Sequence, residues 1–309
     1  MKRMNEGLFH WDLDGVVSLI MMSRGIVFDN VYGAGYQKFD QKIDLIKPGS
    51  NVVVADCRLT VEQFTKLKAK ANNIVYIDHH PESIDIKETF TNDIVKFETG
   101  TSASLLCYNY ISERKQLPEP YRLLAMAANH YDLFDKSEPA WFRFGYDLNI
   151  LFWNYHFYDF LDRFRLGFNG FTSKEKTILR DYKAKLQTDL EDSVYAEIGE
   201  NKRGLICVPS DNSVQNDVPT FKPGFDVYYI IMKWPKTTTI SVRTTGLDLT
   251  RHIQKLLINP VIQSAGGHPE ASGINFHGQP SDENVIQVIN DLQSHIDNAI
   301  VYTSEDIPF

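Results

Sequence analysis

Residues 51–80 read NVVVADCRLTVEQFTKLKAKANNIVYIDHH, and their pattern decides the fold class. Two short apolar runs, Asn51–Ala55 and Asn73–Ile77, have the length and β-branched content of buried strands. Between them Thr60–Ala71 places Val61, Phe64, Leu67 and Ala71 at i, i+3, i+6 and i+10, a helical stripe. Strand, helix and strand in that order imply a parallel pair joined by a right-handed crossover. Ligands of such sheets bind beyond the C-terminal ends of the strands, so the polar residues that follow each run are candidates for a site. After the second run stand Asp78, His79 and His80, with Pro81 closing the strand.

Working outward, Gly7–Trp11 and Gly25–Phe28 read as two further strands. The first runs into HWDLDG (residues 10–15), the run Asn51–Ala55 leads to Asp56, and a helical segment, Pro120 to about Tyr131, carries His130, Tyr131 and Asp132. An isolated Asp after a strand is commonly the N-cap of the next helix. Ligand-type side chains at four successive elements are better explained by convergence, since neighbouring strands lie about 4.8 Å apart. The mixed His and carboxylate set suits divalent manganese, cobalt, iron or zinc, and we expect a two-metal site that activates water for attack at phosphorus. In an extended chain His10, Asp12 and Asp14 would face one cavity, with Trp11 and Leu13 packed into the fold and Gly15 turning the chain into a helix near Val16.

The chain has 309 residues, room for two domains, and its net charge of −8 argues against a broad basic surface for long nucleic acid. Its three cysteines include no C-x-x-C pair, which suits a reducing compartment. No apolar run approaches the roughly 20 residues of a membrane span, and no secretory leader is evident, so a cytoplasmic protein without membrane partners is expected. The rings between Trp141 and Phe171 read as helical core. Ser173 to about Glu197 reads as a long helix with Ser173 as N-cap. Beyond it follow strands at Arg203–Val208, Asp226–Trp234 and Thr238–Thr244, a helix at Asp248–Leu257, loop and strand over Val261–Phe276, and a last helix from about Asn284 to Ile300. The expected organisation is α/β: a parallel-sheet catalytic domain over 1–172, a linker helix over 173–200 and a smaller α/β domain over 201–309.

The ordered set HWDLDG, VVVAD (52–56), IDHHPE (77–82) and YDLF (131–134) resembles the DHH phosphoesterase superfamily. That group includes RecJ-type exonucleases, nanoRNases and cyclic-dinucleotide phosphodiesterases. TGTSASLLCYNYI (99–111) is similar to its Thr/Ser-rich helix start, and SVRTT (241–245) with SAGGHPEASG (264–273) resembles its associated substrate-binding domain with a Gly-Gly-His loop. The resemblance implies metal ligation by His10, Asp12, Asp14, Asp56, His79 and Asp132, with Asp56 bridging two ions, Mn2+ foremost and Mg2+ or Co2+ as substitutes. It further implies that Asp78 orients His79 and that His80 faces the substrate phosphate. Arg243, Gly266, Gly267 and His268 would bind substrate, the two domains closing around it. His130 is a rival to Asp132 at the fourth position.

The activity so implied is two-metal hydrolysis of short oligonucleotides or small nucleotides, nanoRNase-like. A RecJ-like single-strand exonuclease and a cyclic-dinucleotide phosphodiesterase are the alternatives, and an inactive scaffold is disfavoured because every ligand position holds a competent side chain. Long duplex nucleic acid is not an expected partner. The sequence does not distinguish a monomer from a homodimer.

Overall fold

The computed structural model describes residues 3–35, 38–90, 94–198, 203–208, 215–234 and 236–301. The chain divides into two compact units, Met1–Leu179 and Arg180–Phe309. The first opens with β1 (Asn5–His10), α1 (Leu13–Met22), β2 (Asn30–Ala34), α2 (Phe39–Leu45), β3 (Asn51–Ala55), α3 (Val61–Lys70), β4 (Asn73–Asp78), α4 (Ile84–Thr89) and β5 (Ile94–Phe97). The five strands are parallel in the order β2-β1-β3-β4-β5. This is one of the doubly wound orders, and its topological switch point, where ligands collect, lies between β1 and β3.

Leu8, Val52, Val54, Ile74 and Tyr76 pack one face of the sheet against Phe39 and Ile43 of α2 and Phe64 and Leu67 of α3. A capping box at Thr60 and Gln63 starts α3 where the sequence places it. The other side is helical: α1 is buried along its length and packs with α5 (Ala103–Ser112), α6 (Glu119–Asp132) and α7 (Pro139–Phe164). The rings of α7 are core only in part: Tyr146, Phe152, Phe157, Phe160 and Phe164 are buried, whereas Trp153 and Tyr158 are exposed. His156, at φ +62°, breaks α7 just before Phe157.

Several expectations need correction. Gly25–Phe28 is not a strand: the amides of Gly25 and Ile26 still bond to Met22 O at the end of α1, and β2 begins only at Asn30. Phe28 owes its apolar character to an edge-on contact with Phe9. The helix α8 (Ser173–Glu191) is capped by Thr172, whose Oγ1 accepts from Glu175 N while Glu175 Oε2 accepts from Thr172 N. It is also shorter than expected, because Val194–Ile198 forms β6 in place of a helical linker reaching residue 200.

In the second unit β6, β7 (Arg203–Val208), β8 (Val227–Lys233), β9 (Thr238–Thr244), β10 (Ile262–His268) and β11 (Ala271–Phe276) form a mixed sheet ordered β10-β11-β9-β8-β7-β6. Only β7 and β8 pair in parallel among the described residues. The short helix α9 (Val218–Phe221) precedes β8, and α10 (Thr250–Gln254), continued as a 3-10 turn to Ile258, replaces the longer helix expected at 248–257. The final helix, α11 (Asp282–Val301), buries Val285, Val288, Ile289, Leu292 and Ile296 against Tyr229, Ile240 and Ile274. No helix among the described residues is long and apolar enough to cross a membrane.

Candidate metal centre

The C-terminal ends of β1, β3 and β4 and the last turn of α6 bring their polar residues together. Three groups form: two with one imidazole and two carboxylates, His10, Asp12 and Asp56, and Asp14, His79 and Asp132, and a third of Asp56, Asp78, His79 and His80. Within each, one donor atom per residue lies within 4.8 Å of the others. Asp56 spans the first two, with Oδ2 3.6 Å from His10 Nδ1 and Oδ1 3.5 Å from His79 Nε2. Asp56 sits at φ +58°, a left-handed conformation that is costly outside glycine and is held by its amide bond to Ile77 O on β4.

The first motif reaches the site by a route other than strand alternation. β1 ends at His10, Asp12 caps α1 with Oδ1 accepting from Gly15 N at 2.9 Å, and Asp14 already lies in the first helical turn. Gly15 is required for packing, since a Cβ there would stand 2.1 Å from His10 O. Leu13 is buried as expected, whereas Trp11 is 37% exposed. Asp14 is gripped from across the fold: Ala103 N donates to Oδ2 at 2.9 Å and Ser104 N to Oδ1 at 3.0 Å, the opening amides of α5.

Charge sets the proton affinity of the site. Burial and the neighbouring Asp56 push the Asp14 carboxyl up to about 6, and burial with the charges of Asp14 and Asp56 raises Asp132 well above the carboxylate range against the pull of His79. Burial alone would lower His10 and His79, but Asp12 and Asp56 around the one, and Asp132 and Asp56 around the other, raise both well above the imidazole range. The clustered carboxylates therefore raise the affinity of their neighbours for positive charge. Asp56 Oδ2 and Asp132 Oδ2 are buried and accept no hydrogen bond among the described residues. A mixed imidazole and carboxylate donor set with idle buried oxygens fits divalent transition-type cations.

Asp78 takes a different part from the one expected. Its Oδ1 lies 2.9 Å from Nδ1 of His80, so it positions the His80 ring. Its Oδ2 accepts from Ser83 Oγ, and Tyr76 Oη stands 3.0 Å from the same oxygen and 2.7 Å from Ser83 Oγ. Burial opposes the Asp78 charge, but the two histidines outweigh it and hold the carboxyl below its usual range. No spacing rule pointed to Ser83, which arrives through the 3-10 turn Pro81–Ser83. His130 stands apart from these donor groups: its Nδ1 is 2.9 Å from Asp135 Oδ2 and its ring stacks on Trp141.

In the second unit two of the expected substrate residues share one row of the sheet, with His268 opposite Ala271 on β10 and β11 and Ala271 opposite Arg243 on β9. Gly266, Gly267 and His268 end a strand; they are not a loop. Gly267 has φ +145°, and a Cβ on it would meet Ala271 O at 2.5 Å, so the hairpin itself demands the glycine. Arg243 is buried, its Nε and Nη2 donating to Asn216 Oδ1 at 3.0 and 2.8 Å and its Nη1 to Ser241 Oγ at 2.7 Å.

No protein-family model matches the chain, and no curated protein matches it in sequence. Solved structures do. The DHH domain of a protein assigned to a family of ribosomal proteins aligns with a TM-score of 0.65 at 15% identity, over 95% of this chain and 86% of that one. A pGpG-specific phosphodiesterase from Vibrio cholerae gives 0.59 at 11% identity, over 96% and 99%. RecJ from Thermus thermophilus, in complex with Mn2+, gives 0.57 at 14% identity and is matched over 52% of its length by 96% of this chain. The chain therefore has the DHH-domain fold, in agreement with the order of its motifs.

Proposed function

We propose that the protein is a metal-dependent phosphodiesterase that hydrolyses short oligonucleotides or small nucleotides. The observation that carries this reading is Asp56, whose two oxygens each face a separate imidazole and carboxylate group at the sheet's switch point. His10, Asp12 and Asp56 would hold one divalent ion, and Asp14, His79, Asp132 and the second oxygen of Asp56 the other, with Mn2+ the first candidate and Mg2+ or Co2+ as substitutes. When bound, such a pair polarises a phosphoryl oxygen and lowers the pKa of water enough to make a nucleophile at neutral pH. The chain's own residues do the rest. The α5 amides fix Asp14, and Asp78, braced by Ser83 and Tyr76, fixes the ring of His80 to meet the phosphate. Arg243 with Gly266, Gly267 and His268 is the substrate-binding set proposed in the second unit, a role supported by the resemblance of their motifs.

The acidic balance favours a substrate with few phosphates over a long strand. The test is hydrolysis of 5′-phosphorylated dinucleotides to longer oligomers, cyclic dinucleotides and pyrophosphate, each with Mn2+ and with Mg2+. Turnover greatest for the shortest linear substrates is expected, and a rate that rises with length would favour the RecJ-like alternative. Asp14→Ala or His79→Ala should lower turnover by at least about 1,000-fold while the chain stays folded; near-normal activity in either would sink the two-metal reading.

A further inference from the structure

Trp11, between two of the proposed ligands, is not used by the metal centre. Its neighbours in sequence are His10 and Asp12, so its Cα lies about 3.8 Å from each of theirs. A tryptophan on a helix-entry turn would ordinarily be buried, yet this one leaves 37% of its surface open. Its position is nevertheless fixed. The backbone amide donates to Ala34 O at 3.1 Å, and the ring packs on Phe157 at 5.3 Å between centroids and stands edge-on to Tyr158 at 6.2 Å. Gly33 of β2 runs beneath both rings, where a Cβ would stand 3.0 Å from Trp11 Cε3 and 3.4 Å from Phe157 Cε2. The strained His156, at φ +62°, breaks α7 immediately before the two rings that receive Trp11. Tyr158 is itself 51% exposed, with its hydroxyl donating to Val31 O at 3.4 Å.

An exposed aromatic corner, built on a glycine and a strained turn and joined through the chain to two metal ligands, has the construction of a stacking platform. Resting on the phosphodiesterase reading, we infer that Trp11 and Tyr158 form the subsite for the nucleobase next to the scissile phosphate. The platform supplies one apolar face and one edge and offers no hydrogen-bond code, so it accepts any base. It makes a purine or pyrimidine nucleotide a better substrate than a phosphodiester without a base.

The test uses the full chain with Mn2+, a 5′-phosphorylated dinucleotide and the same compound with an abasic residue beside the scissile bond. Stacking is worth about 1–3 kcal/mol per base, so Trp11→Leu should raise KM for the dinucleotide by roughly 5- to 150-fold with kcat little changed. It should leave the abasic substrate unaffected, and Trp11→Phe should recover most of the loss. Equal losses on both substrates would overturn the subsite and leave the phosphodiesterase reading intact. Tyr158→Ala, at a more exposed ring, should show the same selectivity on a smaller scale and serves where Trp11→Leu does not fold. A second readout needs no turnover: mononucleotide should quench tryptophan fluorescence in the wild type and lose that quench in Trp11→Phe. A quench that survives the substitution overturns the proposal, whereas failure to hydrolyse any substrate sinks the phosphodiesterase reading and with it the placing of the base beside a scissile phosphate.

Discussion

At the scale of single residues the cluster is marked by raised proton affinity. Protons on Asp14, pushed up to about 6, and on Asp132, His10 and His79, all raised, would compete with a bound cation for the same atoms. Mn2+ affinity should therefore fall as pH falls, by at least about tenfold between pH 8 and pH 6. Calorimetric titration in buffers of different ionisation enthalpy should register proton release on binding; an affinity unchanged over that range would contradict the assignment. Only part of this geometry was legible in the sequence. The donor types and their order were, because they follow apolar runs that end at a sheet edge. The approach of Asp12 and Asp14 was not, because the start of α1 at Leu13 depends on Gly15 lying against His10 O, a contact that no period reports. The partnership of Asp78 with His80 was hidden likewise, since it is set by a buried network with Tyr76 and Ser83.

At the scale of elements, β3, α3 and β4 were readable because strand and helix periods change cleanly between them, whereas β2 was misplaced by the apolar run that follows α1. The start of α8 shows how much one side chain can carry. Glu175 is buried, completes the Thr172 capping box and pairs with Arg163 through Nε at 2.7 Å and Nη2 at 3.0 Å. Burial opposes its charge, and the bonds from Arg163 and Thr172 outweigh that and hold the carboxyl below its usual range. Glu175→Gln should cost about 3 kcal/mol at pH 7, because Arg163 loses its partner. The sign of the pH dependence follows from the lowered value. The stabilisation is complete above the ordinary glutamate pKa of about 4.3 and disappears as pH falls through the folded-state value. Urea unfolding of wild type and variant should accordingly converge in acid; a gap that widened there would refute the ion pair as its source.

For the whole molecule, two compact units with separate cores carry very different shares of the chemistry, since every proposed metal donor lies before residue 179. Scanning calorimetry of the full chain should resolve two transitions, of which Mn2+ raises only one. An ion at 100 times its Kd stabilises the unit that holds it by about 2.7 kcal/mol. A shift of both transitions would show the second unit to bind the ion as well. The strand order β2-β1-β3-β4-β5 has a further consequence, in time. The donors arrive on β1, β3, β4 and α6, from His10 to Asp132, so no subset near in sequence makes a complete site before the sheet is paired and α6 has docked. A bound ion would act as a latch and not a template: it should leave the folding rate nearly unchanged and slow unfolding by about 100-fold at that concentration, which stopped-flow chevrons with and without Mn2+ will show.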